Sequence, residues 1–178
     1  RSDNLEIFDE LVSFFRTRRR IPDESDVPGV RPLLANYDFP SDILSPEWLA
    51  SALAELRIAA IREQLASSRL AGGPIRYCAP WFGADDIEAG GIDFLFSQAV
   101  LEHVDDLEFT YRQMHRWLRP GGLASHEIDF RSHDIIEPWN AHWACSDIEW
   151  WAVRGRWSYV LHRAPLSAHL ALLESTGF

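Results

Sequence analysis

The stretch from Gly90 to Phe130 limits the fold more than any other part of the chain. Gly90-Gly91 precedes Ile92-Asp93-Phe94-Leu95-Phe96-Ser97, a run apolar enough for a strand buried on both faces. A helical turn is expected from Ala99 to Val104. Asp105 then caps a longer helix, with Glu108 at the capping-box position. Leu107, Tyr111, Met114 and Leu118 recur at the spacing of one helix face and line its inner side. Pro120-Gly121-Gly122 ends that helix and turns the chain into a second strand, Leu123 to Phe130. Strand, helix, tight turn and strand form a crossover, and a crossover of this length joins parallel strands. The chain is therefore expected to be α/β.

The flanks carry weaker signals. Asp3 or Asn4 is expected to cap a first helix running to about Arg18, with Leu5, Phe8, Leu11, Val12 and Phe15 on one face. Its acidic residues lie near the positive end of the helix dipole and its arginines near the negative end. Residues 21–43 contain Pro22, Pro28, Pro32 and Pro40 and should connect irregularly. Ser45-Pro46-Glu47 reads as a capped helix start. That helix should run to about Ser68, with Leu49, Leu53, Leu56, Ala60 and Leu65 inward. A short strand is expected from Ile75 to Ala79 and another from Trp157 to Leu161. Ser167 begins a last helix, which Gly177 ends. Residues 131–160 form an insertion or lid rich in aromatics and histidine, with Trp139, His142, Trp143, Trp150 and Trp151 close together. They read equally well as a pocket wall or as a satellite core.

Composition excludes several classes of function. A formal charge of -10 argues against a nucleic-acid partner, because basic excess supplies most affinity for phosphates. Arg16, Arg18, Arg19 and Arg20 are better explained as a solvated helix end. No apolar run approaches the roughly 20 residues that span a bilayer, so no membrane partner is expected. Cys78 and Cys145 are too few for a disulfide framework or a zinc motif. A cytoplasmic setting is expected.

Two blocks carry a family resemblance. The run from Ile92 through Ser97-Gln98-Ala99-Val100 to Leu101-Glu102-His103-Val104 resembles the fourth strand and following turn of class I S-adenosylmethionine-dependent methyltransferases. Arg116-Trp117-Leu118-Arg119-Pro120-Gly121-Gly122-Leu123 is similar to their lead into the fifth strand, and the interval between the blocks agrees. The resemblance implies a single, incomplete Rossmann-like methyltransferase sheet over residues 1–178, mostly parallel with flanking helices. It also implies S-adenosylmethionine as cofactor and a small-molecule substrate as methyl acceptor. Cofactor contacts are implied at Cys78, Ala79 and Pro80, and at Ser97, Gln98 and Ala99. Those positions follow strands, and open α/β sheets bind ligands at the carboxyl ends of their strands.

Methyl transfer is mostly alignment, although an oxygen or nitrogen acceptor can need a base. His103, His126 and Asp129 are the candidates, with none preferred. Asp93 lies at the opposite end of its strand and is assigned a structural hydrogen bond. Strand alternation puts His126 and Asp129 on different faces, so the two are not expected to pair. His126, Asp129, His133, Asp134 and His142 also invite a metal reading, but no pair has a ligand spacing such as H-E-x-x-H, and no metal site is assigned.

The family's glycine-rich turn after the first strand is not found. Gly72-Gly73, Gly90-Gly91 and Gly121-Gly122 lack its spacing. On this reading Arg1 lies past the second strand and Phe178 at the threshold of the sixth. Exposed sheet edges, apolar surface and weak cofactor binding by this stretch alone are then expected. The competing readings are a non-catalytic binding module on the same scaffold and a metal-dependent enzyme using the histidine-rich segment.

Overall fold

The computed structural model describes residues 2–30, 33–67, 73–77, 87–157 and 160–178. They fall into two compact units, residues 1–79 and 80–178. Among the described residues, no helix is long and apolar enough to cross a membrane.

The first unit is helical. Helix α1 spans Ser2–Arg16, so Asn4 lies inside its first turn rather than ahead of it. Its basic end is occupied locally. Arg16 pairs with Glu55, Arg20 with Asp23 and Asp26, and the Arg19 guanidinium lies 4.4 Å from the centre of the Phe14 ring. Residues 21–30 and 33–43 form turns without helix or strand. Helix α2, Pro46–Ala52, starts as its sequence suggests: Ser45 Oγ accepts from Trp48 N at 3.2 Å, and Pro46 follows the cap.

The single helix expected up to Ser68 is two helices. Helix α2 ends at Leu53, and α3, Glu55–Ala66, restarts after Ala54. The break shifts the helical phase. Ile58 becomes the buried residue, whereas Leu56 is 88% exposed and Ala60 also faces out. Asp9 and Arg62 tie α1 to α3. The strand expected at Ile75 does not form over residues 75–77. The backbone N–H of Ile75 donates instead to Gln64 Oε1 at 2.7 Å, and Gln64 Nε2 donates back to the Ile75 carbonyl.

The second unit is α/β. Strand β1, Ile92–Gln98, pairs in parallel with β2, Leu118–Glu127, through helix α4, Leu107–Trp117. This mixed architecture, a parallel pair with flanking helices, is that of a partial Rossmann-like sheet. A short 3₁₀ turn, Leu101–His103, follows β1. The cap of α4 is Asp106, one residue later than expected, with Oδ1 accepting from Phe109 N at 2.9 Å. Asp105 pairs with Arg154 instead, and Glu108 with Arg112 one turn on.

Pro120-Gly121-Gly122 does not lie between helix and strand, because β2 already contains it. Ile92 pairs with Leu118 and Phe94 with Leu123, so residues 119–122 bulge out of the ladder. Asp93 and Arg119 pair across that bulge, in keeping with a structural role for Asp93. A strand buried on both faces is not what forms. Phe94, Phe96 and Leu123 share one face and are 56%, 64% and 68% exposed, because β1 and β2 are the only sheet strands among the described residues.

Helix α5, Asp147–Arg154, has no counterpart in the sequence reading. Its Ser146/Glu149 capping box was a legible signal. The strand expected from Trp157 to Leu161 does not form at its described residues. Helix α6, Leu166–Thr176, ends at Gly177 in the left-handed conformation, φ 99°. It packs on α4 through buried Tyr111 and His169, whose hydroxyl and Nδ1 are 2.9 Å apart.

A β-carbon on Gly122 would lie 3.0 Å from the Arg119 carbonyl oxygen and 3.1 Å from that of Ile92. Both neighbours are backbone oxygens, which give way less readily than the end of a flexible side chain. Gly122→Ala is therefore expected to destabilise the second unit by about 1–3 kcal/mol, read as a lower urea midpoint at unchanged slope.

Candidate functional site

Of the residues singled out from sequence, Cys78, Ala79 and Pro80 lie outside the described residues. The other six are all in the second unit, at or beyond the carboxyl ends of β1 and β2.

Parallel pairing sets Ser97 opposite His126, and the Ser97 hydroxyl lies 2.8 Å from His126 Nδ1. A cofactor candidate and a base candidate thus touch on one face of the sheet. Burial pushes the His126 imidazole below its ordinary value, so it is neutral near pH 7. Its Nε2 is buried with no hydrogen-bond partner among the described residues. Gln98 falls on the opposite face by alternation, exposed. Ala99 bends the chain with φ 49°, its N–H donating to the Glu127 carbonyl at 3.0 Å.

That bend delivers the turn Leu101–His103. His162 fastens it from outside, with Nε2 2.8 Å from the Leu101 carbonyl oxygen and its backbone N–H donating to the Glu102 backbone carbonyl at 2.9 Å. Leu101 and Leu161 are buried on either side, and Glu102 is only 2% exposed. Neither carboxylate oxygen of Glu102 has a hydrogen-bond partner among the described residues, and the same holds for His103 Nδ1. The nearest approach, His103 Nε2 to Glu102 Oε1, is 4.0 Å, too long for a hydrogen bond.

Asp129 does not meet His126, as strand alternation requires. Instead it gathers Arg131 and His133. Arg131 donates to both carboxylate oxygens, at 3.0 Å from Nε to each and 2.6 Å from Nη2 to Oδ2, and its backbone N–H adds a bond of 2.9 Å. These bonds from the Arg131 side chain, the largest influence, hold the Asp129 carboxyl at about 2 against partial burial. His133 Nε2 lies 3.3 Å from Asp129 Oδ2, and the His133 ring sits 5.3 Å from that of His103.

The loop bearing His133 is closed by buried Ser132, whose N–H donates to the Trp139 carbonyl at 2.6 Å and whose hydroxyl donates to that of Ile136 at 2.7 Å. His133 and Asp134 both take left-handed backbone, φ 51° and 58°, an arrangement that persists only where surroundings enforce it. Asp129, Arg131, Ser132, His133, Asp134 and Trp139 line an open pocket of about 470 Å³.

The aromatic segment divides between its two readings. His142 and Trp150 are buried with ring centres 5.9 Å apart, a small core, while Trp139 lines the cavity. Of the five residues considered for a metal, Asp129 and His133 pair directly and Asp134 lines the same pocket, while His133 also meets partners the sequence reading had not grouped with it. Glu102, His103 and His133 each offer a ligand atom, all within 4.8 Å of one another. No local spacing could have revealed this group, because β2 separates its two halves.

Asp129 also sets an expectation in acid. Its folded value lies below the ordinary 3.8, so its stabilising contribution is complete above pH 3.8 and lost as the pH falls toward about 2. Asp129→Asn is expected to flatten the stability profile of the second unit across that window, measured as urea midpoints from pH 5 to pH 2. An unchanged acid slope would contradict the Arg131 pairing.

Comparison with known proteins agrees with these elements. Residues 49–125 match the model of a family described as a methyltransferase domain, a span ending within β2. No curated protein matches the chain. No solved structure matches it either. By that match, residues 49–125 are similar to the methyltransferase domain family, as the two blocks around β1 and β2 imply.

Proposed function

We propose that the protein carrying this chain transfers a methyl group from S-adenosylmethionine to a small-molecule acceptor, with His126 as the proton acceptor. The observation that carries the reading is the Ser97–His126 contact at the carboxyl end of a parallel pair, within and just beyond the methyltransferase-family match. Ligands of open α/β sheets bind at that end.

The residues described fit the cofactor along one edge. Gln98 is exposed, its side chain has no hydrogen-bond partner among the described residues, and the left-handed bend at Ala99 brings backbone to the surface beside it. When bound, S-adenosylmethionine supplies an already activated methyl group, which leaves alignment as the main task of the protein. The cavity bounded by Asp129, Arg131, Ser132, His133, Asp134 and Trp139 supports a small acceptor, because about 470 Å³ is within the usual range for such ligands.

The three base candidates differ in suitability. A carboxyl held at about 2 is a poor base near neutrality, so Asp129 serves to position Arg131 and His133. His126 is neutral, and in the tautomer whose Nδ1–H donates to Ser97 Oγ its Nε2 carries the free lone pair. Nε2 is buried, and an acceptor O–H or N–H admitted to it would lose its proton there when S-adenosylmethionine is bound. Ser97 keeps the ring in that orientation.

The test has two stages in the protein that carries this chain. Calorimetry with S-adenosylhomocysteine is expected to give one site, and a metabolite panel is expected to contain an acceptor that releases S-adenosylhomocysteine. His126→Ala should then lower kcat by about 10²- to 10⁴-fold, with S-adenosylhomocysteine affinity unchanged within about twofold. Absence of both binding and turnover would favour a non-catalytic module. An unchanged kcat would remove His126 as the base.

A further inference from the structure

We propose that Glu102, His103 and His133 bind a divalent transition-metal ion, with Asp129 behind His133 fixing its ring. Two imidazoles and one carboxylate are a donor set for zinc, iron or cobalt rather than for magnesium or calcium, which prefer all-oxygen sites. The three ligand atoms lie within 4.8 Å of one another. Donors about 2.1 Å from a tetrahedral ion stand about 3.4 Å apart, so modest side-chain rotation closes the set.

Glu102 is the strongest argument. A carboxylate withdrawn from water without a partner is among the costliest groups a fold can hold. His162, which clamps this turn, and Arg154 are engaged elsewhere. Arg154 binds Asp105 and the Val160 carbonyl, and His162 Nε2 lies at the Leu101 oxygen. A cation beside Glu102 and the equally unpartnered His103 Nδ1 satisfies both groups together.

The far side of the site shows the support a ligating histidine normally has. Asp129 Oδ2 lies 3.3 Å from His133 Nε2, and carboxylate–histidine pairs of this kind orient metal ligands through the other ring nitrogen. Arg131 in turn fixes Asp129, and Ser132 closes the loop that keeps His133 in its left-handed conformation. His162 clamps the opposite half, the turn Leu101–His103. Both halves are therefore preorganised, as a binding site requires. Because His133 also lines the 470 Å³ cavity, a remaining coordination position is available to an oxygen of the bound molecule, which the ion would polarise as a Lewis acid.

This inference does not depend on methyl transfer, and its test uses neither cofactor nor acceptor. The chain, purified without a histidine tag and stripped with a chelator, is titrated with Zn²⁺ by calorimetry and with Co²⁺ by visible absorption. One ion per chain is expected, with Co²⁺ bands of four- or five-coordinate geometry. Glu102→Gln and His133→Ala should each weaken Zn²⁺ at least about tenfold, and Asp129→Asn about 10- to 100-fold. His115→Ala, on the exposed side of α4, should leave affinity unchanged. Far-UV circular dichroism confirms that each variant is folded, and His133→Ala, in a loop, carries the test if Glu102→Gln is not. No binding, or equal binding by the folded variants and wild type, would overturn the site.

Discussion

Parallel pairing of β1 and β2 is the constraint from which the functional geometry of the second unit follows. It brings Ser97 and His126, 29 positions apart in sequence, to 2.8 Å. It also decides that His126 and Asp129 leave the sheet in different directions, so that they enter different clusters. A slip of one residue in the ladder would turn every side chain on β2 to the other face and dissolve both arrangements. The bulge at residues 119–122 protects that register at the opposite end. It absorbs the mismatch between one residue of β1 and four of β2 before the pairing from Phe94 to Gln98 begins. Gly122, pressed between two carbonyl oxygens, is where that accommodation is tightest.

Much of this was legible because the signals are local. The apolar run at Ile92 and the amphipathic spacing from Leu107 to Leu118 need no tertiary knowledge, although Leu118 itself opens β2. The same is true of the caps at Ser45 and Gly177. The failures have a common physical cause in competition between neighbours. Asp105 and Asp106 are equally good caps by type, and the choice falls to Asp106 while Arg154 takes Asp105. Helix continuity across Leu53–Ala54 looked unbroken because neither residue is a helix breaker. The break moved Leu56 outward and Ile58 inward, which periodicity extended from Leu49 could not anticipate. Burial of β1 was overestimated for a different reason. An apolar strand reports what it is able to bury, and the actual burial depends on what is packed against it.

The site was only half legible. Alternation along a strand correctly kept His126 from Asp129, and the motif around Glu102-His103 lies on the turn after β1. What it could not supply was the partner of that turn. His133 reaches His103 only because β2 returns parallel to β1 and the loop after it closes through Ser132.

Two roles proposed from sequence as alternatives for one task thereby become different tasks. His126 is neutral, held by a hydroxyl and free at Nε2, which suits a proton acceptor. His103 stands beside a buried carboxylate without a partner and faces a second imidazole, which suits a ligand. A ligating imidazole cannot also act as a base, because its lone pair is committed to the ion. If His103 binds metal, proton removal falls to His126 or to an acceptor oxygen whose own acidity the ion has raised. The latter route needs no protein base. The effect of His126→Ala on turnover, compared with and without metal, therefore separates a base from a residue that only shapes the edge of the sheet.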